Sequence, residues 1–224
     1  MATYLKLYET QAAYDSEESG LTLPNVSLVT ENNTVYYNPL TPTPPTPSHD
    51  YVEIGGIKWA TMNVGAESIG DYGNYYMYGK GAEDYFVTSG DTTYDGTEDP
   101  LSSSVDTATQ AWGGNWRTPT KDEFESLIEN TTNEYMTIGE VEGYKFTDNS
   151  DSSKFIFLPL AGYYDDAVNT STNYYGYYIS STPEEYDDSL VCTLFIDGGE
   201  GGNTYTLTQG RRYGLSVRPV YDGA

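Results

Sequence analysis

Adjacent carboxylates are the residues in this chain whose type and spacing come closest to a catalytic arrangement. Paired carboxylates act in glycosidases as acid and nucleophile, and the pairs here are Asp165-Asp166, Glu184-Glu185 and Asp187-Asp188. With 34 acidic residues in 224, however, neighbouring pairs arise by chance. The commonest general base is also scarce, because the single histidine, His49, lies beside a proline-rich run. We therefore predict no catalytic residues and no enzymatic activity.

Metal binding is the second chemistry to weigh. Calcium requires clustered oxygen ligands, and the C-terminal half offers them at Asp165, Asp166, Asp187, Asp188, Asp197 and Glu200. A zinc site built on Cys and His is excluded, because the chain has one cysteine, Cys192, and one histidine. We predict no cofactor and no dedicated metal site, with at most an incidental structural calcium ion.

A third set of residues suits binding rather than catalysis. Between the apolar runs at 155–162 and 214–220, tyrosines alternate with Asp, Ser, Gly, Asn and Thr. Tyrosine provides large contact area at low entropic cost, and its small polar neighbours provide adaptable hydrogen bonds. Two interpretations are open: a displayed binding surface, or Tyr-rich strands with solvated loops, since tyrosine also favours strands. The rigid apolar segments at both ends favour the display surface.

The display interpretation predicts that twelve residues cluster on one solvent-facing surface and bind the ligand. They are Tyr164, Asp165, Tyr174, Tyr175, Tyr177, Ile179, Tyr186, Asp187, Tyr205, Arg211, Arg212 and Tyr213. Other conspicuous residues are expected to form the frame beneath them. Trp59, Trp112 and Trp116 suit a core, Arg117 and Arg218 are expected to pair with buried carboxylates, and Cys192 is expected to be an inert, partly buried thiol.

The charge of the chain limits its partners. A net charge of -24 argues against nucleic acid and anionic membranes, because phosphate groups are bound by Lys and Arg. Residues 1–8 contain no apolar signal segment, and no run approaches transmembrane length. We expect neither membrane insertion nor export by the usual signal peptide.

The chain divides into three parts in sequence. Residues 1–40 predict a small β-rich module, with a strand near 4–8 and a hairpin around 31–33. Because about forty residues bury little surface, this module requires a partner, either a copy of itself or another protein. Residues 41–50 form a Pro/Thr-rich linker that favours extended polyproline II structure. We expect residues 51–224 to form the ligand-binding domain.

The local pattern of the large domain predicts an α+β fold. Residues 51–61 indicate two strands around Gly55-Gly56, and 75–79, 143–147 and 154–158 indicate further strands. Thr120 and Glu123 predict a capping box at the start of a helix over about 120–130. We also expect a second helix or turn within 65–110, and one twisted antiparallel sheet that uses both 155–160 and 214–220.

Four ordered fragments resemble a known family. They lie at 56–66 (GIKWATMNVGA), 112–124 (WGGNWRTPTKDEF), 157–163 (FLPLAGY), and 176–182 (GYYISST) with 216–220 (SVRPV). They resemble the "major paralogous domain" of Fibrobacter and Bacteroidetes proteins, which is similar to the C-type-lectin-like fold of formylglycine-generating enzymes. The resemblance covers about 51–222. It implies a small twisted antiparallel sheet, one or two helices and long irregular loops, but neither the paired cysteines of those enzymes nor the sugar-binding triplets of calcium-dependent lectins are present.

The same resemblance extends to the variable proteins of diversity-generating retroelements, which include phage receptor-binding proteins. In those proteins template adenines are rewritten, so that Asn codons become Tyr, Asp, Ser, Gly, Cys, Arg, Ile or Thr. Such residues crowd 163–213. Ile179 stands where the family usually has Trp, and Cys192, Arg211 and Arg212 fit the same rule. The N-terminal module resembles the opening of gut-phage structural proteins.

The resemblance implies a phage-type receptor-binding protein. Its N-terminal module would attach to a virion tail or similar protein, and its tyrosine-rich surface would bind a bacterial surface protein or glycan. The alternative is a non-variable bacterial adhesin or glycan-binding module of the same fold at the cell surface. A third hypothesis is that the protein is a degenerate enzyme. The lack of a recognisable export signal favours the virion protein.

Overall fold

The computed structural model describes residues 49–82, 101–166 and 168–223 in full, together with the backbone of four strands nearer the N-terminus. The chain divides into two compact units, Met1–Thr46 and Pro47–Gly223. In the first unit, β1 (Tyr4–Leu7) pairs with β2 (Leu21–Pro24), and β3 (Val26–Glu31) pairs with β4 (Thr34–Pro39). The predicted strand near 4–8 and the hairpin around 31–33 are confirmed. The predicted linker lies, up to residue 48, outside the described residues.

The second unit is built mainly from short strands. Its described elements are β5 (Tyr51–Ile54), β6 (Ile57–Ala60), α1 (Thr107–Trp112), β7 (Trp116–Arg117), α2 (Lys121–Asn130), β8 (Thr131–Ile138), β9 (Val141–Asp148), β10 (Phe155–Pro159), β11 (Tyr163–Asp165), β12 (Val168–Thr170), β13 (Tyr175–Pro183), β14 (Leu190–Asp197), β15 (Thr204–Gly210) and β16 (Val220–Tyr221). They form four antiparallel sheets, ordered β5-β6-β16-β7, β10-β9-β8, β11-β12 and β13-β14-β15.

The predicted α+β class, and with it the C-type-lectin-like fold class, is wrong. Among the residues that the structure describes, strands account for 44% and helices for 10%, in several small sheets, so this part of the protein is β-rich. The difference arises partly at 131–138 and 204–210. These two strands are rich in Thr and polar residues and lie half-buried at sheet edges, so they carry little of the apolar pattern that marks a strand.

Several local predictions are confirmed. Strands β5 and β6 form a hairpin around Gly55 and Gly56, which both have positive φ, as a tight turn requires. Helix α2 begins with the predicted capping box: Thr120 Oγ1 accepts from the Glu123 amide at 3.2 Å, and the Glu123 carboxylate accepts from the Thr120 amide at 2.8 Å. Strands β9 and β10 pair, as expected for 143–147 and 154–158.

Two expectations about strands are wrong. Residues 75–79 form no strand but one bridge, in which the Tyr76 and Leu215 amides and carbonyls bond reciprocally at 2.8 and 2.9 Å. Residues 155–160 and 214–220 also belong to different sheets. The reason is that the 214–220 segment contacts several different elements in turn. Residues 214–216 form single bridges to Tyr164, Tyr76 and Tyr178, and only at Val220 does the segment join the β5-β6-β16-β7 sheet.

The main core lies between helix α2 and the β13-β14-β15 sheet. Phe124 and Leu127 from α2 are buried, and the Phe124 ring stacks on Trp59 with centroids 5.7 Å apart. The same cluster includes Tyr144, Phe146, Ile156, Leu158, Leu160, Tyr178, Leu194, Ile196 and Val220. Trp59 and Trp116 are buried, which confirms the prediction that they belong to the core.

Arg218 lies at the centre of the frame and is fully buried. Its guanidinium donates to Asn63 Oδ1 at 2.9 Å, to the Ala60 carbonyl at 3.0 Å and to the Phe157 carbonyl at 2.9 Å. The expected carboxylate partner is therefore wrong for this arginine, and burial lowers its pKa to about 10. Arg117 does pair with carboxylates, those of Glu123 and Asp222, each at 2.6 Å.

Candidate functional site

The β13-β14-β15 sheet presents two faces of opposite character. Its inner face carries Tyr178, Leu194 and Ile196, which are buried against the core. On its outer face, the register places Tyr177 opposite Phe195 and Phe195 opposite Tyr205. Directly opposed residues on antiparallel strands project to the same side. Three aromatic side chains therefore cross the three strands in line.

The rings on the outer face form a continuous chain of contacts. The Phe195 centroid lies 5.0 Å from that of Tyr177 and 5.2 Å from that of Tyr205. Further contacts join Tyr177 to Tyr163 at 5.2 Å, Tyr163 to Tyr213 at 5.3 Å, and Tyr175 to Phe195 at 5.4 Å. These pairs are tilted or edge-to-face, the arrangements that aromatic quadrupoles favour. We call this set the aromatic row: Tyr213, Tyr163, Tyr177, Tyr175, Phe195 and Tyr205.

The aromatic row has a buried floor and an exposed rim. Phe195 is 7% exposed, whereas Tyr175 is 37% and Tyr205 47% exposed. Tyr174, at 71%, lies next to Tyr175 in the chain. Burial, with the neighbouring tyrosines, raises the pKa of Tyr177 to about 12 and also raises that of Tyr163. These hydroxyls are neutral near pH 7, so they can both donate and accept hydrogen bonds.

An arginine lies on one end of the aromatic row. The Arg212 guanidinium carbon is 4.5 Å from the Tyr213 ring centroid, and Nη2 donates to the Tyr213 hydroxyl at 3.0 Å. Nη1 is 3.1 Å from a carboxylate oxygen of Asp165. The hydrogen bond to Tyr213 is the main cause that raises the pKa of Arg212. This end thus combines a tyrosine face, a cation and a carboxylate.

The other end carries a carboxylate beside Tyr175. Asp197 pairs directly with Tyr175 in the register of β13 and β14, so both side chains project from the outer face. Within the described ranges 49–82, 101–166 and 168–223, the Asp197 carboxylate has no hydrogen-bond or ion-pair partner. This end therefore combines an exposed tyrosine with an uncompensated negative charge.

Seven of the twelve predicted site residues belong to this surface or adjoin it. They are Asp165, Tyr174, Tyr175, Tyr177, Tyr205, Arg212 and Tyr213. Tyr186 and Asp187 do not join them, because they lie in the hairpin loop after the far end of β13. That end is about 25 Å from Tyr175, at roughly 3.3 Å per residue. Tyr186 is 86% exposed, and Asp187 accepts hydrogen bonds from Ser189, which lower its pKa.

The remaining three predicted residues are buried, and the expectation that they face solvent is wrong. Tyr164 is 9%, Ile179 3% and Arg211 1% exposed. Tyr164 packs edge-on against Tyr75, and Arg211 lies over the Tyr78 ring and donates to the Leu190 carbonyl at 2.8 Å. The physical reason is that segments 75–78 and 211–217 cover part of the outer face.

Three residues of the site were not among the twelve. Tyr163 directly follows the apolar run at 155–162, and Phe195 lies within the apolar strand β14, so both positions are typical of core. Asp197 was noted only as an oxygen ligand for calcium. Alternation along β14 could have placed Phe195 and Asp197 on one face, but only the register shows which tyrosines they meet.

A separate cleft of about 330 Å³ lies beside α1 and β7. Its charged groups serve the frame. The Asp106 carboxylate caps α1 by accepting from the Thr109 amide at 2.8 Å and also accepts from the Thr118 amide at 3.0 Å. Arg117 is held by its two carboxylates. His49, near the C-terminal end of the predicted linker, stacks on Trp112 with ring centroids 3.7 Å apart. This cleft is less suited to binding than the aromatic row.

Comparisons with known proteins add no relative. No family model, curated protein or solved structure matches this chain. Among the residues that the structure describes, no three or more His, Cys, Asp or Glu side chains are grouped to hold a metal ion. Within the same residues, no helix has the length and apolar character needed to cross a membrane.

Proposed function

We propose that the protein is a receptor-recognition protein that binds its ligand through the aromatic row. The observation that carries the proposal is the continuous contact of six aromatic rings, four of which project from one face of a sheet whose other face is core. Tyrosines held in this way lose little further freedom on binding. Tyrosine is also among the residues that most often contribute 2 kcal/mol or more to an interface, as an order of magnitude.

The division between rim and floor supports a surface whose sequence can vary. Replacing an exposed residue typically changes stability by about 0.5 kcal/mol or less, whereas a large-to-small change in the core costs about 2–5 kcal/mol. Tyr174, Tyr175 and Tyr205 are exposed, so their replacement should change the stability little. Ile179 and Arg211 are buried, so their replacement should destabilise the protein. Variation would therefore be concentrated at the exposed tyrosines.

The biological setting belongs to the same proposal. We infer a phage protein of the virion tail, diversified by a retroelement, that recognises a bacterial surface molecule. Its N-terminal module would attach it to a tail protein or to further copies of itself. The four family-like fragments and the Tyr, Asp, Ser and Gly content of 163–213 support this setting. A nearby near-copy of the 3′ end of the gene, differing only at adenines, would identify a protein diversified by a retroelement. Its absence would favour an invariant adhesin with the same binding surface.

Binding to intact Bacteroidetes cells tests the proposal. Fluorescently labelled protein would be screened on a panel of strains, and the variant Y174A/Y175A/Y205A compared with wild type on the strains that bind. We expect this variant to lose binding while keeping its melting temperature within a few degrees. Tyr186→Ala is the matched control, since it removes an exposed tyrosine far from the aromatic row. Equal losses in both variants, or no loss in the triple variant, would contradict the proposal.

A further inference from the structure

We propose that the ligand is a protein, and that the aromatic row binds one of its arginine or lysine side chains between Tyr175 and Asp197. This inference rests on the proposed function and names the chemical class that the surface selects. It follows from three features of the described residues: a cation already bound at the other end of the row, the pairing of Tyr175 with Asp197, and the charge of the whole chain.

The first feature is the arrangement around Arg212. Its guanidinium lies over the Tyr213 ring at 4.5 Å and beside the Asp165 carboxylate at 3.1 Å. A tyrosine face attracts a cation through its quadrupole, and the carboxylate adds direct charge attraction. At this end of the aromatic row, a tyrosine ring and a carboxylate therefore already hold a cation, the side chain of Arg212.

The second feature is that Tyr175 and Asp197 supply the same two groups at the opposite end. They face each other across β13 and β14, and directly opposed side chains have Cβ atoms roughly 4.5–5.5 Å apart. Tyr175 is 37% exposed, so its ring is accessible to a partner. No Lys or Arg of the part of the chain that the structure describes pairs with Asp197. A cation that binds between these two side chains would therefore come from the ligand.

The third feature is charge complementarity. The chain has 34 acidic residues against 10 Lys and Arg, a net charge of -24, so its field attracts positively charged partners and repels acidic ones. Exposed Glu200 follows Asp197 in the loop before β15 and adds to the local negative charge. The hydroxyl groups of a neutral sugar would donate hydrogen bonds to Asp197 but would not neutralise its charge. A basic side chain compensates that charge as it is buried.

The direct test uses Nα-acetyl-arginine methylamide as the probe and its neutral isostere Nα-acetyl-citrulline methylamide as the control ligand. Titration of the full chain at physiological salt would be followed by NMR chemical shifts. We expect the arginine probe to shift Tyr175, Tyr177, Asp197 and Tyr205, and the citrulline probe to bind about fivefold or more weakly. Equal binding of the two probes, or shifts spread over the whole acidic surface, would overturn the inference.

Matched variants separate a local site from general attraction. Asp197→Asn is expected to weaken the arginine probe about fivefold. Asp188→Asn makes the same change of charge in the exposed hairpin loop and is expected to leave the affinity unchanged. Unaltered affinity in Asp197→Asn, or equal weakening in both variants, would overturn the inference.

Cell binding distinguishes failure of this inference from failure of the proposed function. If Y174A/Y175A/Y205A loses cell binding but Asp197→Asn keeps it fully, the aromatic row is the binding surface. The inference that a cationic side chain binds beside Asp197 is then wrong. Treating the cells with protease is expected to abolish binding. Binding that survives protease but is lost after periodate oxidation would identify a glycan and overturn the inference while leaving the proposed function intact. Retention by the triple variant would refute the proposed function itself.

Discussion

Tyr177 and Phe195 lie directly opposite each other on strands β13 and β14, with ring centroids 5.0 Å apart. Their immediate neighbours, Tyr178 and Leu194, are also opposed and are fully buried on the inner face. In this part of the sheet, each of the two strands therefore contributes alternate residues to the core and to the proposed binding surface. Because the core fixes the backbone, the rings on the outer face are held in place before any ligand arrives.

This division predicts opposite effects for two large-to-small substitutions. Trp59→Ala should lower the free energy of unfolding by about 3–5 kcal/mol, because the indole is fully buried against Phe124. Tyr205→Ala should lower it by about 1 kcal/mol or less, because that ring is 47% exposed. Urea denaturation followed by circular dichroism measures both. Similar losses of stability would mean that the outer face belongs to the core.

The buried guanidinium of Arg218 predicts a large effect from a substitution that preserves much of its volume. Arg218→Met would leave the Ala60 and Phe157 carbonyls and Asn63 Oδ1 without their donor. Each buried acceptor left without a donor costs about 1–3 kcal/mol, so the loss of all three hydrogen bonds should cost about 3 kcal/mol or more. The half-exposed Arg212→Met is the control and should cost about 1 kcal/mol or less. Equal stabilities of the two variants by urea denaturation would contradict this account of the frame.

The raised pKa of Tyr177 predicts a loss of stability in alkali. Its folded-state pKa is about 12, against about 10 in the unfolded chain, so the folded protein binds the proton more tightly. The associated stability is fully present below pH 10 and is lost as the pH rises towards 12. Absorbance at 295 nm and circular dichroism would follow ionisation and unfolding together. Tyr177→Phe should unfold at a higher pH than wild type, and an unchanged midpoint would count against the burial of this hydroxyl.

Ligand binding should not depend on a divalent cation. The described residues contain no group of three or more His, Cys, Asp or Glu side chains that could hold a metal ion, and the binding proposed for the aromatic row requires none. Cell binding should therefore be the same in excess EDTA and in excess calcium. Binding that EDTA abolishes and calcium restores would show a metal-dependent site and favour a glycan-binding module.

The sequence was sufficient where short-range rules decide the structure. The capping box at Thr120 and Glu123 locates the start of α2, and Gly55-Gly56 locates the first turn of the second unit. Both features depend on residues within a few positions of one another. The tyrosine-rich composition likewise predicted a solvent-facing cluster of tyrosines, and seven of the twelve predicted residues lie at the aromatic row or adjoin it. That this surface binds a ligand stays a prediction.

The errors arise where distant segments meet. Ile179 alternates in phase with Tyr177 along β13, so the sequence gives no sign that Leu215 and Tyr78 belong to the cluster that buries it. Arg218 has three oxygen partners, on residues 61 to 158 positions away, which no local pattern specifies. The sequence around Phe195 is typical of a core strand. Only the register of β13, β14 and β15 shows that its ring lies beside the exposed tyrosines.

Site-specific photocrosslinking tests whether the aromatic row contacts the ligand on the cell surface. A photoreactive benzoylphenylalanine would replace Tyr175 or Tyr205 in the aromatic row, or Tyr186 in the distant hairpin loop, and each protein would be irradiated on cells that it binds. We expect a covalent product with one cell-surface molecule from Tyr175 and Tyr205 and none from Tyr186. A product from Tyr186 alone, or equal products from all three positions, would contradict it.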